Sequence, residues 1–295
     1  MGEVALVEMI RRLAGERSGI GDDCAVLRMP GSRQELIATT DMLLEGVHFR
    51  RATHGPADLG RKALARGLSD IAAMGGTPMW CLVSLAAPPW ATREWMGRFF
   101  RGLLARARSA GTHLAGGDLA LHKLLAIDIV VLGSVPAGKA LRRGGAKAGD
   151  AIYVSGVLGG SALGLETRSG AAWKRHLRPE PRLELGRWLR GRATACMDVS
   201  DGLSLDLHRL LRESGVAGVV DRPLPVFHGA SLDQALHGGE EYELLFTTPA
   251  NKRIPAIRQK LPLTRIGTVV NGKPGEMEFF GRRLEPKGYD HFKKR

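Results

Sequence analysis

The feature of this sequence that most restricts its fold is a set of five short acidic segments, each ending on aspartate near glycine, serine or threonine. Two carboxylates about 4 Å apart repel each other by roughly 4 kcal/mol at an effective dielectric constant near 20, so a fold that gathers them needs cations between them. Any one segment is typical of an ordinary Asx turn, whereas five in one chain favour a metal site. The segments are Gly21-Asp22-Asp23, Thr39-Thr40-Asp41, Leu68-Ser69-Asp70, Gly116-Gly117-Asp118 and Asp198-Val199-Ser200-Asp201.

Mg²⁺ is the cation that best suits such segments, because it takes carboxylates in octahedral geometry and shares its remaining positions with water and substrate phosphates. Glycine beside aspartate lets the backbone approach a ligand closely, and a neighbouring hydroxyl adds an oxygen ligand. The segments therefore predict metal-assisted phosphoryl transfer. The sequence contains neither Gly-x-x-x-x-Gly-Lys-[Ser/Thr] nor the protein-kinase motif set, so such a transferase needs another architecture.

Length and composition predict two domains. The chain has 295 residues, of which 44% are hydrophobic, and this length exceeds that of a usual single core. The stretch from Gly138 to Gly149 is rich in glycine, lysine and arginine, as is typical of a linker. We therefore expect one domain over residues 1–138 and another over residues 139–295. Neither half shows a strict βαβ rhythm, so an α+β fold is favoured over a doubly wound sheet.

The formal net charge of +13 makes a polyanionic partner reasonable. Nucleic acid and phosphorylated small molecules fit this charge equally well. The basic residues are scattered, however, and only 5% of the residues are aromatic. The sequence therefore lacks the series of aromatic side chains on which successive bases could stack. A nucleic-acid-binding protein would also leave the acidic segments unexplained, so this class is kept only as an alternative.

The cysteines and the apolar segments predict a cytoplasmic protein without membrane association. Cys24, Cys81 and Cys196 are far apart and lack a metal-type spacing, so they are expected to be buried thiols in a reducing compartment. The first residues lack the basic start and apolar stretch of a signal peptide. The most apolar run, Leu124–Val135, is too short to span a bilayer and contains Asp128.

Two of the acidic segments fall at the ends of predicted elements. Leu36–Thr40 is predicted to be a strand that delivers Asp41 at its end. A helix from about Ala57 to Met74 would carry Asp70 near its C-terminus. Because that end of a helix is the negative end of the macrodipole, the dipole does not stabilise the Asp70 carboxylate there. A bound cation would explain an aspartate at this position. The alternative is a solvated aspartate at a helix end.

Hydrophobic periodicity predicts further elements on both sides of the linker. Trp95, Phe99 and Leu103 share one face of a predicted helix, which favours core packing; stacking of Phe99 or Phe100 on an adenine is the alternative. We also expect strands at Cys81–Ala86, Leu124–Val135 and Ala151–Ser155, a strand ending at Met197-Asp198, turns at Gly116-Gly117-Asp118 and Gly156–Gly164, and helices at Thr92–Ala110, Pro181–Leu189 and Leu203–Ser214.

Taken in order, these motifs resemble the thiamine-monophosphate kinase family over nearly the whole chain. This family is part of the superfamily of aminoimidazole ribonucleotide synthetase, selenophosphate synthetase and the hydrogenase maturation dehydratase. The aspartate motifs are common to the superfamily, whereas Lys174-Arg175-His176-Leu177-Arg178-Pro179 and Gly288-Tyr289-Asp290-His291-Phe292 point to the thiamine kinase branch. Further resemblance lies in Gly19-Ile20-Gly21-Asp22-Asp23, Thr40-Asp41, Gly46-Val47-His48-Phe49, Leu68-Ser69-Asp70-Ile71-Ala72-Ala73-Met74-Gly75, Asp198-Val199-Ser200-Asp201-Gly202-Leu203 and Gly238-Gly239-Glu240-Glu241-Tyr242-Glu243-Leu244.

The resemblance implies a two-domain α+β architecture like that of aminoimidazole ribonucleotide synthetase. Its N-terminal domain would have a mixed or antiparallel sheet with helices, bind ATP and Mg²⁺, and dimerise through its sheet. Its C-terminal domain would be an α/β sandwich that completes the nucleotide and substrate site. The implied reaction is transfer of the γ-phosphoryl group of ATP to thiamine monophosphate, which gives thiamine diphosphate and ADP with several Mg²⁺ ions taking part.

The resemblance also implies roles for single residues. Asp41, Asp70, Asp118 and Arg143 would take part directly in catalysis. ATP would contact Gly117, Asp118, Arg143 and Ser200, with Phe99 as a candidate neighbour of the adenine. The substrate would contact His48 and Glu240, with Tyr289 as the candidate aromatic side chain. The Mg²⁺ ligands would be Asp23, Thr39, Thr40, Asp41, Asp70, Asp118, Asp198 and Asp201.

Three alternatives to this function stay open at the level of sequence. One is a related superfamily enzyme that acts on another phosphate acceptor, although the cysteines expected near either terminus of two such relatives are missing. Another is a regulator that binds Mg·ATP without catalysis. The third, from a different class, is the basic nucleic-acid-binding protein.

Overall fold

The computed structural model describes residues 2–15, 19–289 and 291–292. Asp290 of the C-terminal motif therefore lies outside the described residues. The chain divides into two compact units. The larger unit comprises Met1–Ala25, Leu141–His176 and Leu189–Arg295, and the smaller unit comprises Val26–Ala140 and Leu177–Trp188. The functional boundary predicted between residues 138 and 139 stays a prediction.

Helices and strands alternate irregularly along the described residues. None of the described helices is long and apolar enough to cross a membrane. In chain order the elements are α1 (Glu3–Ala14), β1 (Ala25–Arg28), β2 (Gln34–Leu44), α2 (Pro56–Ala73), β3 (Thr77–Ala87), α3 (Arg93–Ala110), β4 (His113–Leu121), β5 (Ala126–Pro136), β6 (Ala151–Ser155), α4 (Gly160–Thr167), α5 (Gly170–Leu177), α6 (Leu183–Leu189), β7 (Ala195–Asp198), α7 (Leu203–Glu213), β8 (Ala217–Val220), α8 (Leu232–His237), β9 (Leu244–Thr248), β10 (Ile257–Arg258), β11 (Leu261–Val270), β12 (Met277–Phe279) and β13 (Arg282–Arg283).

The smaller unit is built on a mixed five-stranded sheet with the order β1-β2-β5-β3-β4. Strands β2 and β5 pair antiparallel along their whole length, whereas β3 and β4 pair parallel. Along β5, buried Ile127, Ile129 and Val131 alternate with half-buried residues, as expected for a strand with one face against a core. Helix α2 contacts β2, β3, β5 and α3, so the core of this unit lies between the sheet and these two helices.

The larger unit contains a mixed sheet of eight strands among its described residues. Its order is β13-β12-β8-β11-β6-β9-β7, with β10 paired to β11. Strand β12 runs parallel to β8, and the other pairs are antiparallel. Residues Leu207 and Leu211 of α7 share the core with Ile152, Leu245 and Ile266 of the sheet. The two mixed sheets with helices confirm the predicted α+β class.

Most of the predicted elements are present, but two predicted turns differ from the structure and one helix was not predicted. The strand predicted over Leu36–Thr40 extends over Gln34–Leu44, so Asp41 lies inside it rather than at its end. The Gly116-Gly117-Asp118 segment lies inside β4 rather than in a turn. A Cβ atom at Gly117 would meet the Val83 carbonyl oxygen at 1.8 Å, so this glycine permits close strand approach. Helix α4 already begins at Gly160, inside the predicted Gly156–Gly164 turn, and α5 was not predicted because its eight residues give too short a periodic signal.

The cysteines are confirmed as buried residues. Burial raises the pKa of the Cys81 thiol to about 11. Burial, followed by the charges of Asp23 and Asp198, also raises the pKa of the Cys196 thiol well above its usual value. Both thiols are therefore protonated near neutral pH and behave as small apolar side chains.

Helices α2 and α3 pack so closely that glycine is required at their crossing, which gives a stability prediction. A Cβ atom at Gly102 would lie 1.9 Å from the Ala57 carbonyl oxygen, so we expect Gly102→Ala to lower the free energy of unfolding by about 1–3 kcal/mol through overpacking. Gly97, on the same helix, has only the tip of Arg101 within reach, at 3.8 Å. Gly97→Ala should instead raise the free energy by about 0.5–1 kcal/mol. Chemical denaturation measures both; equal effects would contradict the packing argument.

Candidate active site

The segment Asp198–Gly202, which we call the aspartate loop, follows a fully buried strand of the larger unit. Strand β7 delivers Asp198 at its end with 1% of the residue exposed. The loop then runs into α7, and three consecutive backbone N–H groups point at one side chain. Ser200, Asp201 and Gly202 donate to Oδ2 of Asp206 over 3.0–3.1 Å. A single buried carboxylate therefore fixes the shape of the loop.

Asp206 is a functional candidate that the sequence analysis missed. Arg209 donates to Oδ1 of Asp206 over 3.2 Å and also to Oδ2 of Asp201. Burial and then the charge of Asp201 raise the pKa of Asp206 to about 7, although the charge of Arg209 and the backbone N–H of Asp201 oppose this. The available signal was an aspartate in the first turn of a helix, where carboxylates meet unpaired N–H groups.

Asp23 and Asp198 form the acidic centre of the larger unit. Each presents a carboxylate oxygen, and these oxygens lie within 4.8 Å of each other. Arg143 donates from Nη2 to Oδ1 of Asp23 over 2.6 Å. The other oxygen, Oδ2 of Asp23, is buried and has no hydrogen-bond partner among the described residues. Burial raises the pKa of Asp23 despite the opposing charge of Arg143. A divalent cation would fit this pair, because it would satisfy the buried oxygen and balance the remaining charge.

Asp22 has a different role from its neighbour Asp23. Its Oδ1 accepts a hydrogen bond from the backbone N–H of Arg143 over 2.9 Å, and its Oδ2 accepts one from Nη1 of Arg142 over 2.7 Å. Both oxygens are thus used to hold the segment that carries Arg143. The structure therefore separates an anchoring aspartate from a candidate metal ligand within one Gly-Asp-Asp motif.

In the smaller unit, Asp41 and Asp70 lie between β2 and α2 with defined partners. The Thr39 hydroxyl donates to Oδ2 of Asp70 over 2.5 Å. Arg66 donates to both oxygens of Asp41, over 2.6 and 2.7 Å. Arg66 and Asp70 are four residues apart on α2 and so share a face of the helix. Asp70 is thus part of a polar cluster with Thr39 rather than only a solvated helix end. Arg66 was not picked out from the sequence.

Two predicted ligands lie on the opposite face of this sheet, which corrects the expectation of one acidic cage. Because side chains alternate along a strand, Thr40 points away from Thr39 and Asp41. Its hydroxyl donates to Oδ1 of Asp128 over 2.7 Å, so it does not join the cluster around Asp70. Asp118 is exposed on β4, and its register pairs it with Ser84, which in turn pairs with Asp128. Residues paired across neighbouring strands lie on the same face of a sheet, so Asp118 lies on the same face as Asp128 and Thr40.

The residues Gly238–Glu243, which we call the glutamate turn, are bonded directly to the aspartate loop. The backbone N–H of Glu240 donates to the Ser200 carbonyl over 2.7 Å, and that of Tyr242 donates to the Val199 carbonyl over 2.8 Å. The backbone N–H of Tyr289 donates to the Asp201 carbonyl over 3.1 Å. The structure thus brings three predicted site residues, Ser200, Glu240 and Tyr289, together around one loop.

His48 and Phe99 belong to the smaller unit and differ in their surroundings. His48 follows β2, and its Nδ1 accepts a hydrogen bond from the Leu44 N–H over 3.0 Å. Phe99 is completely buried and stacks on Trp95 with ring centroids 5.7 Å apart. Its ring therefore packs in the core, the interpretation that the sequence favoured, and a ring without exposed surface cannot stack on an adenine.

Comparisons with known proteins place this geometry in a family. Residues 21–135 match AIR synthase related protein, N-terminal domain, and residues 147–279 match AIR synthase related protein, C-terminal domain. Thiamine-monophosphate kinase of Salmonella typhimurium is 39% identical in an alignment that covers 93% of this chain and 92% of that protein. The enzyme of Aquifex aeolicus is 33% identical in an alignment that covers 99% of this chain and 98% of that enzyme.

The chain belongs to the thiamine-monophosphate kinase family.

Solved structures agree with membership of the thiamine-monophosphate kinase family. The structure described as AaThiL complexed with AMPPCP and TMP has a TM-score of 0.89 at 33% identity and covers 99% of this chain and 97% of its own. Thiamine-monophosphate kinase from Stenotrophomonas maltophilia K279a has a TM-score of 0.80 at 38% identity, covering 96% and 98%. Family membership confirms the predicted resemblance and the kinase class, and leaves the roles of single residues as predictions.

The contact of Asp206 with the aspartate loop leads to a prediction for this thiamine-monophosphate kinase family member. Asp206→Asn removes the charge that three N–H groups and Arg209 share, so we expect a loss of about 1–3 kcal/mol in the free energy of unfolding. Affinity for Mg²⁺, measured calorimetrically with ATP present, should fall by roughly 10–100-fold. Asp233→Asn is the matched control, because Asp233 lies in the first turn of α8 with its side chain 84% exposed. Unchanged Mg²⁺ affinity in folded Asp206→Asn would refute the role.

Proposed function

We propose that this protein transfers the γ-phosphoryl group of ATP to thiamine monophosphate and so produces thiamine diphosphate. The observation that carries the proposal is the acidic centre of the larger unit, where the carboxylates of Asp23 and Asp198 meet beside the guanidinium of Arg143 and one buried oxygen is left for a cation. A family relative whose structure is described as complexed with AMPPCP and TMP supports the choice of ligands.

In this proposal the acidic residues of each unit are the ligands of Mg²⁺. The larger unit supplies Asp23, Asp198 and Asp201. The smaller unit supplies Thr39, Asp41 and Asp70, with Gly117 on β4 as a further candidate contact to ATP. Bound Mg²⁺ would neutralise the phosphate oxygens of ATP as charge moves during transfer. Residues 1–138 would then form the part that binds ATP and Mg²⁺, and residues 139–295 the part that completes the site.

The residues around the aspartate loop then have distinct tasks. Arg143 is held in place by Asp22 and Asp23, so its charge is available to stabilise the transferred group without reorganisation. The Ser200 hydroxyl is a candidate hydrogen-bond donor to a phosphate of ATP. No general base is required, because the acceptor is itself a phosphate that is largely ionised near neutral pH, its second pKa being about 6. Positioning and charge balance can therefore supply most of the rate enhancement.

The acceptor has two chemically different ends, and the proposed contacts match them. Thiamine monophosphate carries an aminopyrimidine at one end and a phosphate ester at the other, with a cationic thiazolium ring between them. The carboxylate of Glu240 suits the cation or the amino group, since it would repel a phosphate. His48 and Tyr289 are the other proposed contacts, a ring nitrogen being able to bind the phosphate and a phenol ring to pack on the heterocycle.

The reaction is tested by measuring ADP release from Mg·ATP with thiamine monophosphate, with thiamine and no acceptor as controls. We expect ADP release and thiamine diphosphate, identified by mass, only when Mg²⁺ and the monophosphate are both present. Asp198→Asn should lower kcat by roughly 100-fold or more, because it removes a charge on which the metals depend. Asp221→Asn, on the exposed surface of the larger unit, should leave kcat unchanged. Thiamine diphosphate formation at the wild-type rate by Asp198→Asn would contradict the metal assignment.

We also propose that the protein is a homodimer that forms along the sheet of the smaller unit. Strand β4 is an edge strand, and Leu119 and Leu121 on it are 70% and 82% exposed. Long exposed apolar edge strands are pairing sites unless another chain covers them. A second copy of this chain is the occupant that the family resemblance favours, since its members are expected to dimerise through this sheet.

The dimer proposal predicts a change in mass after a change of charge on β4. We expect the wild-type protein to show the mass of a dimer in light scattering after size exclusion, and the double variant Leu119→Glu/Leu121→Glu to shift toward the monomer. Leu232→Glu is the matched control, because Leu232 is an exposed leucine of the larger unit. A monomeric wild-type protein, or a double variant that stays fully dimeric, would refute the proposed interface.

A further inference from the structure

Behind the glutamate turn lies a buried ionic cluster to which neither the family resemblance nor the proposed reaction assigns a role. The carboxylates of Glu241 and Glu243 are completely buried. Arg175 of α5 bridges them, donating from Nε to Glu241 over 3.0 Å and from Nη2 to Glu243 over 2.9 Å. Burying such charges is costly even when they are paired, and removing one partner is more costly still. A cluster of this kind is weak evidence for stability, which favours a role in positioning the turn.

The four carboxylate oxygens of the cluster all have donors, so the cluster is rigid. Ser161 donates its backbone N–H to Oε1 of Glu241 over 2.9 Å. Ser155 donates its hydroxyl to Oε2 of Glu243 over 2.6 Å. The two remaining oxygens accept from Arg175. A Cβ atom at Gly156 would lie 2.1 Å from Oε1 of Glu243, so the space around this oxygen is already filled.

The cluster holds a backbone conformation that is unfavourable by itself. Glu240 and Tyr242 have φ values of 61° and 53°, and the left-handed region costs a non-glycine residue roughly 1–2 kcal/mol. The buried glutamates alternate with these two residues along the turn. Glu241 and Glu243 are anchored inside, whereas the Glu240 side chain is 25% exposed. The ionic cluster therefore fixes the stretch of backbone that carries Glu240.

The neighbour of Arg175 on α5 touches Glu240 itself. His176 is buried and its ring stacks on Trp173, with centroids 5.1 Å apart. Its Nδ1 lies 3.0 Å from the Ser161 hydroxyl and 3.4 Å from Oε2 of Glu240. The ring plane is thus set by Trp173, and the nitrogen lies between the Ser161 hydroxyl and the Glu240 carboxylate.

We propose that Arg175 and His176 are positioning residues that orient Glu240 toward the phosphate acceptor and so determine acceptor specificity. Arg175 fixes the backbone of the glutamate turn through the two buried glutamates, and His176 fixes the direction of the Glu240 carboxylate. The acceptor selected in this way carries a positive charge or an amino group next to its phosphate ester. This inference rests on the proposed function, because it takes Glu240 as a contact of thiamine monophosphate.

The test uses His176→Phe, which keeps an aromatic ring to stack on Trp173 and removes the nitrogen contacts. We expect KM for thiamine monophosphate to rise by about tenfold, as for the loss of a polar contact to a charged group, while KM for ATP changes by less than about twofold. The same effect is expected of Glu240→Gln, and the double variant should raise KM no further than Glu240→Gln alone, because coupled residues are not additive. His208→Phe is the control: His208 bonds the Gly275 carbonyl in the same unit and should leave both KM values unchanged.

Each outcome decides for or against the proposal. Additive effects of His176→Phe and Glu240→Gln, or equal shifts of KM for ATP and for thiamine monophosphate, would overturn it as a merely structural effect. If His176→Phe is not recovered as a folded protein, His176→Gln takes its place. For this variant too, KM for thiamine monophosphate should rise while KM for ATP stays nearly unchanged. A wild-type protein that forms no thiamine diphosphate overturns the proposed function and this inference with it. Normal turnover with an unchanged KM in the His176 variants overturns this inference alone.

Discussion

The structure of the candidate site depends on one carboxylate, that of Asp206, which accepts three consecutive backbone N–H groups from the aspartate loop. With its N–H groups directed inward to Asp206, the loop presents its carbonyl groups outward. These accept hydrogen bonds from the backbone of Glu240, Tyr242 and Tyr289. One buried charge thus arranges the loop, and the loop arranges the surrounding segments. Since three N–H groups would otherwise be buried without partners, alternative loop conformations are strongly disfavoured.

Arginine side chains are the second recurring feature, because several of the acidic groups at the candidate site form an ion pair with one. Arg143 holds Asp23, Arg66 holds Asp41, and Arg175 holds the two glutamates behind the glutamate turn. A guanidinium can donate several hydrogen bonds in a fixed plane and stays charged when buried, so lysine would not serve equally well. The acids are therefore positioned before any cation arrives, and Oδ2 of Asp23 is left for it.

The sequence predicted the regular elements of the site well where a single pattern was unambiguous. Helix α2 runs over Pro56–Ala73, within one residue of the prediction at both ends, and β6 has the predicted bounds. Glycine was the ambiguous residue. Gly117 was expected in a turn but lies in β4 against Val83, because glycine equally signals a turn and a close approach of two strands. The difference depends on a neighbouring strand that local sequence does not reveal.

By itself the sequence determined the α+β class and the family and picked out the aspartates that we propose as Mg²⁺ ligands, since these follow from local periodicity and from contiguous motifs. Only the tertiary structure decided which of these side chains meet. It placed Thr40 and Asp118 on the opposite face of the sheet from Asp70, and it buried Phe99. It also supplied the partners, such as Arg143 for Asp23, 120 residues apart in the chain. Such pairings depend on how separate elements pack. Because the packing energy comes from many residues that are distant in sequence, no single segment determines it.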